Sequence, residues 1–471
     1  MFKTLSTREL SRFEMYIHSP FFNKNEAVFA LFHLIKKNSP DYTAKQLKKE
    51  EACKVLFSKE KPDLPRLRYV MTDLTRLLED YLAYLQYEVH EVYQRHLMLS
   101  ALSIRHLDKY FSGTYDLARS ELEKGSERDV EYYFDKYLIE ENAYLHSLSR
   151  ESQDLGTPLQ QAVDNLDLYY LAQKLRYCCV IFNREAIFQV KYNTMLLPEI
   201  LEFLKEKDFD HVPAVSIYYQ IIMTFMEPEE EKHYHQLKKL LTTNTALFQR
   251  TEIKDMYVFA LNYCIKKLNS GNLEYLQELF SHYQHLVEKD ILLENAHLAP
   301  ADFKNIVTIA LRSGQTEWTE NFIEKYKNKL PSEAQEHTHA YSKAFIHYYR
   351  KEFSKALRLL QTVEFTDVYY HLDAKALLLR TYYELFDTEP FFSMADAFTN
   401  YLKRNKLISS YQRTVYLNFV KFIRKLLLLR LGGRGSVNDL LEALKKSPPV
   451  ASLQWLIAKT EELQKEEKKQ S

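Results

Sequence analysis

Glycine is what this chain almost lacks: 8 in 471 residues, against 35 tyrosines, 28 phenylalanines and 2 tryptophans. Glycine supplies the positive-φ turns of β-hairpins and the backbone concavities that wrap phosphate. A chain this poor in it has few ways to build either, and ample apolar mass for packed helices. Alternating apolar and polar runs bounded by Asn-Gly or Asp-Gly are absent, no hairpin signal stands out, and the whole chain reads as helix.

At 471 residues the chain exceeds the size at which one core keeps growing, which leaves two or three domains or a quasi-one-dimensional stack. A composition of 46% apolar and 27% charged residues excludes a disordered or membrane-spanning class. The apolar run Leu426 to Leu429 is far short of a bilayer span. Met1 to Leu10 carries Lys3, Arg8 and Glu9 with no apolar core, so no secretory signal is expected. Cys53, Cys178, Cys179 and Cys264 lack C-x-x-C spacing, which fits reduced thiols in a cytoplasmic protein.

Ser6-Thr-Arg-Glu9 has the form of a capping box, and Leu10, Phe13 and Ile17 follow on one helical face. Ser19-Pro20 to Asn25 breaks that helix. From Leu67 to about Phe111 the apolar period stays near 3.6, with Tyr81, Leu82, Leu85, Val89, Val92, Leu97 and Leu99 as core candidates. One long helix or two with a corner near Glu88 to Glu91 would fit. Near the end, a helix from about Ile408 stops at Leu431-Gly432-Gly433-Arg434-Gly435. Asn438 then caps a short helix, and Ser452 starts a last one anchored by Leu453, Trp455, Leu456 and Ile457.

The second half repeats itself. Ser270-Gly271-Asn-Leu-Glu-Tyr275 aligns with Ser313-Gly314-Gln-Thr-Glu-Trp318, and the segments at Lys351 and Pro390 repeat the idea more loosely. Each unit is then a helical hairpin, with intervals of 43, 37 and 39 residues between Gly271, Gly314, Lys351 and Pro390. Ala344, Tyr348, Tyr349, Phe353, Ala356 and Leu360 resemble a tetratricopeptide hairpin, with Pro331 at the place of such a repeat's closing proline. The resemblance covers about 257 to 405 and implies an α-solenoid that binds protein ligands. The opening, Leu5 to Asn25, is also similar to the start of helical proteins from Bacteroidota, which implies no activity. The expected fold is all-α: stacked helical hairpins, a tetratricopeptide-like α-solenoid with helical caps at both ends. Its expected segments are an N-terminal cap (1–64), a helical-repeat region (65–256), tetratricopeptide-like hairpins (257–405) and a basic C-terminal cap (406–471).

Net charge is zero overall but graded along the chain. Residues 1–112 carry +4, 113–268 carry −7, 269–405 carry −4 and 406–471 carry +7. No Asp or Glu occurs from Ala397 to Asn438, where nine cations stand. On a helical wheel Lys406, Arg413, Lys421, Arg424 and Lys425 share one arc, a stripe able to meet an acidic partner, a nucleic-acid backbone or an anionic surface. Internal pairing with Glu364, Asp367, Asp373, Glu384, Asp387, Glu389 and Asp396 would use the same stripe.

Catalytic and cofactor signatures are weak. Gly432-Gly-Arg-Gly435 lacks the lysine and spacing of a phosphate loop. Glu-x-x-His pairs, a pattern of carboxylate-bridged metal sites, occur at Glu230/His233, Glu294/His297 and Glu336/His339; solvent-exposed helix starts explain them as well. Abundant Tyr and Phe at helical spacing read as packing before base-stacking platforms. The expectation is therefore a non-enzymatic scaffold or adaptor with no cofactor and no metal, binding a protein partner in its groove. The acidic middle suits a basic or mixed-charge ligand. The alternative is a helical-repeat nucleic-acid binder using the basic helix 406–434. Partner identity and oligomeric state are not legible.

Overall fold

The computed structural model describes residues 1–43, 45–57, 62–150, 156–187, 190–207, 209–362, 368–446 and 449–470. Among these the chain is all-helical, with 22 α-helices and 1% strand. It divides into two compact units, Met1–Tyr219 with Ala246–Phe248, and Gln220–Thr245 with Gln249–Ser471.

The first unit holds α1 (Thr7–His18), α2 (Glu26–Lys37), α3 (Lys49–Phe57), α4 (Leu64–Val89), α5 (Glu91–Ile104), α6 (Asp108–Lys124), α7 (Val130–Ser149), α8 (Gly156–Ile187), α9 (Leu197–Glu206) and the first part of α10 (Pro213–Met226). The capping box is formed as expected, with the Ser6 hydroxyl accepting from Glu9 N–H and the Glu9 carboxylate accepting from Ser6 N–H. Leu10, Phe13 and Ile17 are buried against Val28, Phe32, Leu74 and Tyr81. Phe13 meets the Phe32 ring edge-on at 5.1 Å and the Tyr81 ring at 5.2 Å. The long periodic run breaks at His90 and again at residues 105–107, giving three helices, α4, α5 and the start of α6, rather than one or two. Tyr81 and Leu99 join the core, but Val89 and Leu97 are exposed, because each sits on the face that its helix turns outward near the break.

The second unit holds α11 (Glu231–Asn244), α12 (Arg250–Asn269), α13 (Tyr275–Glu288), α14 (Pro300–Arg312), α15 (Thr316–Tyr326), α16 (Ser332–Tyr349), α17 (Phe353–Gln361), α18 (Val368–Leu385), α19 (Thr388–Arg404), α20 (Ser410–Arg430), α21 (Val437–Lys445) and α22 (Leu453–Gln470). From α11 onward each helix packs on the next, and α14, α16, α18, α20 and α22 also pack on one another in that order.

The hairpin turns share one backbone device. Gly271, Gly314, Lys351 and Phe386 have φ of 106°, 78°, 61° and 57°. At each, the N–H of the positive-φ residue returns to the carbonyl three residues back, and the next N–H to the carbonyl five back. This is the Schellman closure of a helix C-terminus. The fourth equivalent point is thus Phe386, not Pro390, which lies inside the first turn of α19. Proline cannot supply the left-handed residue, since its ring holds φ negative.

Two further expectations are corrected. A two-residue antiparallel pair, β1 (Leu293–Glu294) with β2 (His297–Leu298), interrupts the helices. Its turn is Asn295-Ala296, both at positive φ, so a hairpin forms without the glycine that usually signals one. Ser436, not Asn438, caps α21, accepting from Asp439 N–H.

Candidate functional site

The last turns of α12, α14, α16 and α18 line an open groove of about 1110 Å³, flanked by α20 and by the start of α22. The repeat phase places these residues. Asn269, Arg312, Tyr349 and Glu384 each stand two positions before a positive-φ turn residue, and all four line the groove. Helical side chains three and four residues apart share a face, which brings Thr308, Phe345, Tyr348 and Arg380 to the same wall.

Arg380 is the centre of the site. Its guanidinium lies between two aromatic faces, 4.5 Å from the Tyr348 ring centroid and 5.2 Å from that of Trp455. Its Nε donates to the Tyr348 hydroxyl at 3.3 Å. Cation–π stacking of this kind contributes about 0.5–2 kcal/mol per face and fixes the plane of the fork. Among the described residues, the two terminal nitrogens of that fork have no acceptor.

Among the described residues, Glu384 supplies the only carboxylate lining the groove. Its Oε1 accepts from Trp455 Nε1 at 3.2 Å and from the Tyr348 hydroxyl at 3.4 Å, and it faces Lys459 Nζ at 3.2 Å. Burial pulls the Lys459 pKa down, but the hydrogen bond to Glu462 and the charge of Glu384 outweigh it and leave the ammonium more basic than usual. Burial also raises the Tyr348 and Tyr349 hydroxyls, which stay protonated. Lys459 is shared between Glu384 and Glu462, and the lining cations without a carboxylate partner among the described residues are Arg312, Lys351 and Arg380. Phe345, Tyr349, Phe353, Tyr411 and Trp455 provide apolar surface between these cations.

The five cations of the C-terminal stripe do not act alike. Arg413 turns inward: its Nε donates to the Leu402 carbonyl at 3.0 Å, and its terminal nitrogen to those of Asn405 and Ile408 at 2.9 and 3.2 Å. It thereby closes the C-terminus of α19. Arg424 pairs with Asp396 at 2.7 Å and lies 5.8 Å from the Phe392 ring. Lys406, Lys421 and Lys425 are exposed. The expected internal charge matching thus reaches one of the five, since Asp373 instead takes Lys304 and the Tyr416 hydroxyl, and Glu384 takes Lys459. Glu364 and Asp367 lie outside the described residues.

Members of the Glu-x-x-His pairs have other neighbours. His233 lies 2.8 Å from Gln220 and 3.2 Å from Glu227, and Glu294 pairs with Lys254 at 2.6 Å. Glu294 and His297 stand on the β-pair, not on a helix. Local pattern missed the groove because its cations are spread from residue 312 to 459; the signal was the repeat phase, two residues before each of the four turns and six before three of them. No protein-family model matches the chain, and no curated protein matches it either. Among the described residues, no helix is long and apolar enough to cross a membrane.

Proposed function

We propose that the chain is a non-catalytic, protein-binding scaffold whose second unit is a tetratricopeptide-like stack of helical hairpins, and that its groove takes an acidic segment of a partner protein. Support for the stack comes from the recurring Schellman turns and from the alternate-helix packing of α14 through α22. Support for the ligand's charge comes from one observation above all. Arg380 is held rigid between Tyr348 and Trp455 with its fork free, and such a guanidinium loses little freedom on meeting a carboxylate or phosphate. The acidic segment 113–268 contributes only the apolar Leu268 to this wall, so the ligand expected here is acidic rather than basic.

Trp455 makes the test direct. In Trp318→Phe it is the sole tryptophan, and its emission reports the groove. A synthetic peptide alternating Glu and Tyr should shift that emission saturably, weaken as salt is raised, and lose at least tenfold in affinity against Arg380→Gln, the loss of a charge-assisted pair of about 1.5–3 kcal/mol. Equal binding of the corresponding Lys/Tyr peptide, or no saturable shift with either, would overturn the proposal.

A second reading, nucleic-acid binding through the C-terminal helix, rests on Lys406, Lys421 and Lys425, which have no carboxylate partner among the described residues. Lys421→Glu with Lys425→Glu should then abolish salt-sensitive retention of a single-stranded oligonucleotide; unchanged retention removes that reading.

A further inference from the structure

The helix α8 is apolar on two faces, and only one is used. Ala162, Ala172, Leu175 and Cys179 are buried. Rotated from them, Leu159, Val163, Leu166, Tyr170, Tyr177 and Val180 are 41–60% exposed. With Gln173 these residues follow strict 4-3 spacing over three heptads, within about 100° of arc on a helix of 3.6 residues per turn. Such spacing is the seam of a coiled coil rather than of a globular surface helix.

We propose that α8 pairs with the α8 of a second copy of this chain, antiparallel, about a two-fold axis beside Tyr170 and Gln173. The order of residues along the seam carries this choice of partner. In an antiparallel register Val163 meets Val180 of the other copy, Leu166 meets Tyr177, and Tyr170 meets Gln173 twice. Apolar layers then close both sides of a polar centre. A central polar layer of this kind fixes register, since any slip leaves the glutamine amide against an apolar side chain.

Charge agrees with the same register. Along one flank of the seam, Asp167 precedes the centre and Lys174 follows it. Neither has an oppositely charged partner among the described residues. Antiparallel pairing places Asp167 of each copy opposite Lys174 of the other, so the two-fold axis satisfies both ends at once. The six apolar side chains expose on the order of 500 Å² per copy before the polar flanks are added, close to the ~800 Å² per partner of a stable interface. Each assembly would then carry two copies of the Arg380 groove, although the pairing stands independently of what that groove binds.

Sedimentation velocity of the full chain tests this. A species of twice 56.1 kDa is expected at about 50 µM, dissociating toward about 0.5 µM. Leu166→Glu with Tyr170→Glu should give monomer at every concentration with unchanged helix content by circular dichroism, because both side chains are exposed. Asp167→Lys should weaken the dimer about tenfold, and adding Lys174→Asp should restore it. As a second readout, Leu166→Cys with Tyr177→Cys should form an interchain disulfide dimer on mild oxidation, the four native cysteines being buried. A monomer at about 50 µM, a dimer that survives the double glutamate variant, or failure of the charge-swap rescue each overturns the proposal.

Discussion

Gly314→Ala and Gly113→Ala make the same chemical change and should have opposite effects. A Cβ added at either position meets nothing within 4 Å, so packing does not distinguish them. Backbone conformation does. Gly314 sits at φ 78° in the turn between α14 and α15, where an L-residue costs about 1–2 kcal/mol in the folded state. Reduced freedom of the unfolded chain returns about 0.4–1 kcal/mol, leaving a net loss of roughly 1 kcal/mol. Gly113 is exposed in the first turns of α6, where alanine is favoured over glycine by about 0.8–1 kcal/mol. Urea unfolding measures both. The two tryptophans, Trp318 and Trp455, lie in the second unit, so their emission follows the unit that contains Gly314, and circular dichroism follows both units. With an m-value of about 1–3 kcal/mol/M, each change moves its midpoint by about 0.3–1 M, downward for Gly314→Ala and upward for Gly113→Ala. A neutral or stabilising Gly314→Ala would refute the left-handed turn, and with it the equivalence of the four hairpin closures.

The same reasoning predicts that Lys351→Gly, which relieves φ 61°, stabilises the second unit by about 0.5–1 kcal/mol in the same urea assay. Arg413→Ala should cost about 1–3 kcal/mol, because three backbone carbonyls lose their donor, whereas Lys421→Ala should stay within about 0.5 kcal/mol. His282 lies 2.9 Å from the buried Tyr234 hydroxyl, and burial, with Lys238 nearby, lowers its pKa to about 4. The folded state thus holds it neutral while the unfolded chain titrates near 6.5, so its contribution is full above pH 6.5 and falls by about 3 kcal/mol as pH drops to 4. Urea midpoints at pH 7 and pH 4.5 should converge more in His282→Gln than in the parent chain. Phe13→Ala, at a fully buried ring touching Phe32 and Tyr81, should cost about 3–5 kcal/mol, seen as early loss of the first unit's helical signal.

Much of the local structure was legible because its causes are local. The Ser6–Glu9 box closes within four residues, Leu10, Phe13 and Ile17 face the core at helical spacing, and Gly271 and Gly314 mark turns by needing no side chain. Lys351 and Phe386 make the same turn with residue types that do not signal it, and Pro390 stands close enough to Phe386 to imitate a helix break. Val89 and Leu97 were misplaced because periodicity gives a face without saying whether a neighbour covers it. α8 shows the same limit from the other side: its two apolar faces look alike in sequence, and only the packing of other helices, α7 foremost, on one of them leaves the other exposed.

That the chain is helical, and where many helices begin and end, is written in the residues themselves, since caps, turns and periodicity act over a few positions. The existence of a basic stripe is written there too. What the charges do depends on how the helices pack. Arg413 became a helix closure and Arg424 half of an ion pair, while Arg380, conspicuous in no local pattern, was set between Tyr348 and Trp455 by helices 32 and 75 residues away. A charge takes its role from the dielectric, the neighbours and the open space around it, and none of these is fixed until distant helices have packed.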